Sequence, residues 1–213
     1  GAKGYVLLID MSEFSLVTQR YGIVYYLSMI EKMKSVVRPI IESNSGTLVK
    51  YVADNVYAVF DSASDAIVSS IEVNKTLDEI NKSTPAKWDI CVSTGIDYGG
   101  FLKTEDGDLF GDAVNCASKL GEDIAQKNEI IISKEAFEHI ENQGDYQAEF
   151  VHFKISGISL EAYTIKPIID WCINKVDSHQ KYNCQPNSLS KHSLLKQPKA
   201  FLVDACYINL QLC

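Results

Sequence analysis

The chain has 213 residues, of which 46% are hydrophobic and 23% charged. This suits one globular domain with a sizeable core and room for an appendage. Its formal net charge of -8 argues against a non-specific nucleic-acid or anionic-membrane surface, both of which need clustered Lys and Arg, so any anionic ligand must be held by a local device.

The apolar run Tyr5 to Ile9 reads as a strand buried on both faces, with Asp10 at its exit. Ser12 to Tyr21 is polar with Phe14, Leu16 and Val17 interspersed. Ile23 to Ile41 has helical spacing through Leu27, Ile30, Met33 and Val37, and Pro39 with the following Ser-Asn-Ser-Gly is expected to close it. Thr47–Val52 and Asn55–Phe60 are strand-like and separated only by Ala53-Asp54, a tight hairpin connection that places Asp54 at its tip.

A second helix is expected from Ser62 to Ile80, and a strand from Trp88 to Asp97, with Gly99-Gly100 turning the chain into the next strand. Gly111 to Ala125 puts Val114, Ala117, Leu120 and Ile124 on one helical face and leaves Asn115, Ser118, Lys119 and Glu122 on others. Ser133 caps a short helix, and Phe150 to Phe153 with Leu160 to Ile165 forms a closing strand pair. The pattern is α+β, with a mainly antiparallel sheet flanked by helices.

The domain is expected to span residues 1–167. After Pro167 the composition shifts to Asn, Gln, Ser and Lys, so 168–213 reads as an irregular or partly disordered extension. No apolar run nears the roughly 20 residues of a membrane span, and direct membrane insertion by this segment is not expected. Six cysteines without a CxxC pair read as thiols of a reducing compartment, the cytoplasm. The start at Gly1 reads as a piece cut from a longer chain.

Asp10 and Asp54, one leaving a buried strand and one on a hairpin tip, form an oxygen donor pair of the kind magnesium accepts. Taken singly, either aspartate is equally an ordinary turn residue.

Read together, Asp10-Met11-Ser12-Glu13-Phe14-Ser15, Gly46 to Asp54 and Asp108 to Leu120 occur in the order and spacing of the class III adenylyl and guanylyl cyclases, which the chain resembles over residues 4 to 166. The resemblance implies a ferredoxin-like α+β unit working as a head-to-tail dimer, here a homodimer, converting ATP to cyclic AMP. Asp10 and Asp54 would hold two magnesium ions, with manganese able to substitute and the Met11 carbonyl assisting. The turn Met11, Ser12, Glu13, Phe14, Ser15 would offer backbone N–H groups to the triphosphate.

On the same resemblance, Lys50 and Asp108 would read adenine, where guanylyl cyclases usually carry Glu and Cys. Asn115 would orient the ribose and Lys119 would meet the transition-state charge, both supplied by the subunit other than the one holding the metals. Lys154 is the expected further triphosphate ligand, with Ser156 the other occupant of that place. Glu13 and Ala53 stand where the family usually has glycine, and Lys119 where it has arginine. These departures keep two other readings open: a catalytically weak or inactive nucleotide-binding regulatory domain, and a cyclase for another nucleotide such as GTP. The resemblance also implies an upstream sensor or regulatory domain.

Overall fold

The computed structural model of the chain describes residues 1–12, 19–140, 146–155 and 158–168. The first strand, β1 (Ala2–Met11), is longer than its apolar run because both neighbours pair with it antiparallel. Val6, Leu7, Leu8 and Ile9 are all fully buried, each contributing roughly 1.5–3 kcal/mol. Their alternation splits the core in two. Leu7, Ile9 and Met11 join one cluster, while Val6 and Leu8 join another on the opposite face.

Helix α1 (Ile23–Ser43) buries Tyr26, Met29, Ile30, Met33, Val36, Val37, Ile40 and Ile41 on the first face. Leu27, expected on that stripe, is instead exposed. Pro39 does not end the helix. Ser35, whose carbonyl loses a partner to the proline ring, is exposed and can be served by water. Strands β2 (Thr47–Val52) and β3 (Asn55–Phe60) form the expected hairpin, and α2 (Ala63–Lys82) follows, capped by Ser62 and packed on α1.

A short 3-10 turn at Ala86–Trp88 precedes β4 (Val92–Lys103), which passes straight through Gly99-Gly100. The expected turn there is corrected: Gly4 pairs with Gly99 and Lys3 with Gly100. Gly99 serves close packing, since a Cβ on it would lie 3.2 Å from Ala113 Cβ. The two-residue β5 (Leu109–Phe110) folds back on β4 and leads into α3 (Asp112–Ser118).

The single helix expected to Ala125 is also corrected, because Lys119–Ile124 is a π-helical turn. Here α3 crosses β4 with almost no gap: a Cβ on Gly95 would sit 2.1 Å from the Ala117 carbonyl oxygen and 2.4 Å from Gly121 N. Ile124 ends half-buried as a result of the altered register.

Strand β6 (Ile130–Ser133), α4 (Lys134–Glu138) and the β7 (Tyr146–Ile155) and β8 (Ile158–Pro167) hairpin complete the domain. Ser133 accepts from the Ala136 N–H as the expected cap. The sheet runs β2-β3-β1-β4-β6-β8-β7, and among the described residues only β4–β6 is parallel. The architecture is α+β and mostly antiparallel, with α1 and α2 on one face and α3 on the other. Among the described residues no helix is long and apolar enough to cross a membrane.

Candidate functional site

Asp10 follows Val6 and Leu8 in the pleat, so its side chain leaves β1 on the α3 face while Ile9 and Met11 point into the α1–α2 core. Asp54 caps the adjacent β2–β3 hairpin. Burial, then the negative charges of Asp54 and Glu122, push the Asp10 carboxyl from its ordinary 3.8 up to about 7. Burial likewise raises Glu122, and Tyr57 and Asn55 hydrogen-bond to it. Three acids therefore repel one another around one point, and their all-oxygen chemistry suits a hard divalent cation. Among the described residues no group of three His, Cys, Asp or Glu side chains is arranged to hold a metal by itself, so a cation here would keep open positions for other oxygens.

Tyr26 approaches the same point from below. Its ring is 1% exposed on α1, and burial, a hydrogen bond to Asp54 and the charges of Asp54 and Asp10 raise its phenol. It therefore stays a proton donor toward that carboxylate. Asp54 thus interacts with Tyr26 of one layer and with Glu122 of the other.

Met11 is buried by its side chain, so only its backbone can serve a ligand. The Ser12 N–H donates to the Cys91 carbonyl at 2.9 Å, which leaves Ser12 its hydroxyl to offer. Glu13, Phe14 and Ser15 lie outside the described residues, as does Ser156.

Lys50 and Asp108 meet. Lys50 Nζ donates to Asp108 Oδ1 at 2.8 Å. The two-residue hairpin sets Lys50 opposite Tyr57, and Lys50 Nζ lies 5.0 Å from the centre of that ring. A bulge at Val49 then shifts Leu48 to pair with Ala58 and turns it toward the α1–α2 core. The Tyr57 hydroxyl lies 3.3 Å from Ser118 Oγ and 3.5 Å from Glu122 Oε1.

Asn115 and Lys119 stack one helical turn apart, the Lys119 N–H donating to the Asn115 carbonyl. Asn115 is exposed and Lys119 half-buried. Lys154 is not brought to this group by its own chain. Three strands separate β7 from β1, roughly 19 Å at ordinary strand spacing.

Sequence reasoning missed Tyr26, Tyr57 and Glu122 as neighbours of the site. Counting outward from the Ala53-Asp54 turn would have placed Tyr57 across from Lys50. Tyr26 gives no such signal.

Residues 5–167 match the family model described as the adenylate and guanylate cyclase catalytic domain. A curated protein of Rhizobium meliloti (strain 1021) named "Putative adenylate cyclase 3" is 26% identical over 140 residues, 66% of this chain. The match spans about a quarter of that relative's length, 24%. The adenylate/guanylate cyclase/hydrolase structure from Silicibacter pomeroyi is similar with a TM-score of 0.63 at 24% identity, covering 78% of this chain and 99% of that one. The catalytic core of a rhodopsin-guanylyl cyclase with converted specificity, solved with ATPalphaS, gives a TM-score of 0.66 at 18% identity over 78% and 96%. With a matched segment running from β1 through β8 and embracing Asp10, Lys50, Asp54, Asp108, Asn115 and Lys119, the chain belongs to the family of adenylate and guanylate cyclase catalytic domains.

Proposed function

We propose that this domain is an adenylyl cyclase, forming 3',5'-cyclic AMP and pyrophosphate from ATP at the interface of a head-to-tail homodimer. The observation that carries this reading is the 2.8 Å contact between Lys50 and Asp108. A lysine donates to adenine N1 and a carboxylate accepts from the exocyclic amine. Guanine presents the opposite pattern and would leave both groups unpaired, at about 1–3 kcal/mol each.

In the reaction the ribose 3'-hydroxyl attacks the α-phosphorus, loses its proton and expels pyrophosphate. Positioning and charge neutralisation supply most of the barrier reduction, and no side-chain nucleophile is needed. Asp10 and Asp54, with the Met11 carbonyl, would hold two divalent ions, magnesium or in its place manganese, which supply charge neutralisation and lower the pKa of a bound hydroxyl. Asn115 orients the ribose, Lys119 meets charge developing on the phosphate, and Lys154 binds the triphosphate. A partner copy fits the separation of Lys154 from Asp10 across the sheet, and because every required residue type is in one chain, two equivalent sites follow.

A second reading, a nucleotide-binding regulatory domain with little turnover, draws on Glu122, whose charge sits beside Asp10. One experiment separates the two: purified protein with ATP or GTP and magnesium or manganese, assayed for cyclic product, alongside Asp54→Ala. Cyclic AMP that disappears in the variant supports the enzyme. Bound ATP with no product under either metal sinks it.

A further inference from the structure

Tyr57 occupies a place that neither base reading nor metal binding accounts for. Its ring lies under the Lys50 ammonium, 5.0 Å from nitrogen to ring centre, within the reach of a cation–π interaction. Its hydroxyl meets Ser118 Oγ at 3.3 Å and Glu122 Oε1 at 3.5 Å. Ser118 ends α3 and Glu122 lies in the π-helical turn after it, on the same segment as Asn115 and Lys119. One side chain therefore touches the lysine of the Lys50–Asp108 pair on one side and the element bearing Asn115 and Lys119 on the other.

Lysine has a long flexible stem, and an ammonium by itself has no preferred direction for its three donors. Asp108 constrains only one of them, and its own side chain is 53% exposed. The Tyr57 ring supplies the missing constraint as a floor beneath the ammonium, and the antiparallel register keeps it there, since Tyr57 is the residue directly opposite Lys50. The hydroxyl contacts, at 3.3 and 3.5 Å, add a second and weaker hold on the ring.

We propose that Tyr57 is a positioning residue for base selection: its ring, placed by strand register, holds Lys50 in the direction that favours adenine over guanine, and its hydroxyl adds a weaker contact to α3 and the turn after it. The inference rests on the adenylyl reading of Lys50 and Asp108. Loss of the ring frees the ammonium to meet guanine's carbonyl as readily as adenine's ring nitrogen, so discrimination falls more than binding does. Loss of the hydroxyl alone leaves the ring opposite Lys50 by strand register, so discrimination falls much less than on loss of the ring.

The test compares the full chain with Tyr57→Phe, Tyr57→Leu and Tyr57→Met. Calorimetry with magnesium measures binding of the α,β-methylene analogues of ATP and GTP, which cannot be cyclised, so the result does not depend on turnover. The adenine-over-guanine affinity ratio should fall about tenfold in Tyr57→Leu and stay within about twofold in Tyr57→Phe, as expected for a desolvated cation–π contact. Tyr57→Met fills similar volume without a ring and should match the leucine variant, which covers the case in which leucine prevents folding.

A parental ratio retained in a folded leucine or methionine variant overturns the role of Tyr57 and leaves the adenylyl reading intact. A parent that binds both analogues equally overturns both. A ratio lost equally in Tyr57→Phe overturns the ring's part, because the hydroxyl alone would then account for selection.

Discussion

Lys50 Nζ and Asp108 Oδ1 stand 2.8 Å apart although 58 residues separate them in sequence. One comes from an inner position of β2 and the other from the residue before β5, and the three strands between them in the fold, β3, β1 and β4, bring them to a common face. Replacing one partner leaves the other unmatched against the base. Lys50→Glu should therefore reduce cyclic AMP formation roughly tenfold to hundredfold, following an unpaired-group cost of about 1–3 kcal/mol. Lys50→Glu with Asp108→Cys should move preference toward GTP, measured as the ratio of kcat/KM for the two nucleotides. An unchanged ratio in the double variant would remove these residues from base selection.

Ala53 adopts φ +52 at the hairpin tip, the left-handed region where a Cβ costs about 1–2 kcal/mol. Ala53→Gly relieves that strain but adds about 0.5–1 kcal/mol of unfolded-chain entropy. A net gain of about 1 kcal/mol or less is expected, raising Tm by about 2–4 °C at most for a domain of this size. Calorimetry decides it. A lower Tm would mean that neighbouring contacts hold the alanine methyl favourably.

How far the sequence could be read depended on whether a position was set locally or by packing. The hairpin around Asp54 and the buried strand before Asp10 were legible because alternation and a two-residue turn are local signals, and the Ser133 cap was legible for the same reason. The turn assigned to Gly99-Gly100 failed because Gly99 answers to Ala113 across space, while a side chain on Gly100 would meet nothing within 4 Å. The break of α3 into a π-helical turn answers to Gly95, again a distant residue. Glu122 lies in that turn, so its place beside Asp10 was hidden, whereas the proposed metal and base residues came from resemblance to a family and not from periodicity.

The crossing of α3 over β4 is itself testable. A Cβ on Gly121 would meet Gly95 N at 2.9 Å and Leu8 Cδ2 at 2.7 Å. Because the first of these is backbone, the segment must shift. Gly121→Ala should cost about 1–3 kcal/mol in urea unfolding. The shift also moves Asn115 and Lys119, so kcat should fall more than nucleotide affinity. An unfolding midpoint equal to the parent's would show that the crossing has slack.

Asp10 gives a pH dependence whose sign follows from its neighbours. Burial, Asp54 and Glu122 raise its carboxyl from 3.8 to about 7, with the Tyr26 phenol facing the same carboxylates. Between those values the folded protein holds a proton that the unfolded chain has released. This contribution is therefore complete below about pH 4 and is lost as pH rises through about 7. In metal-free solution Asp10→Asn, which stays neutral, should gain stability over the parent progressively from pH 5 to pH 8. Magnesium should reverse the order at pH 8, since a cation stabilises only the charged site and binds the folded form. Thermal melts of both proteins, with chelator and with magnesium, measure the difference directly. If the gap between them stays flat with pH, Asp10 is already ionised at acid pH, and the crowding of carboxylates around it does not set its charge.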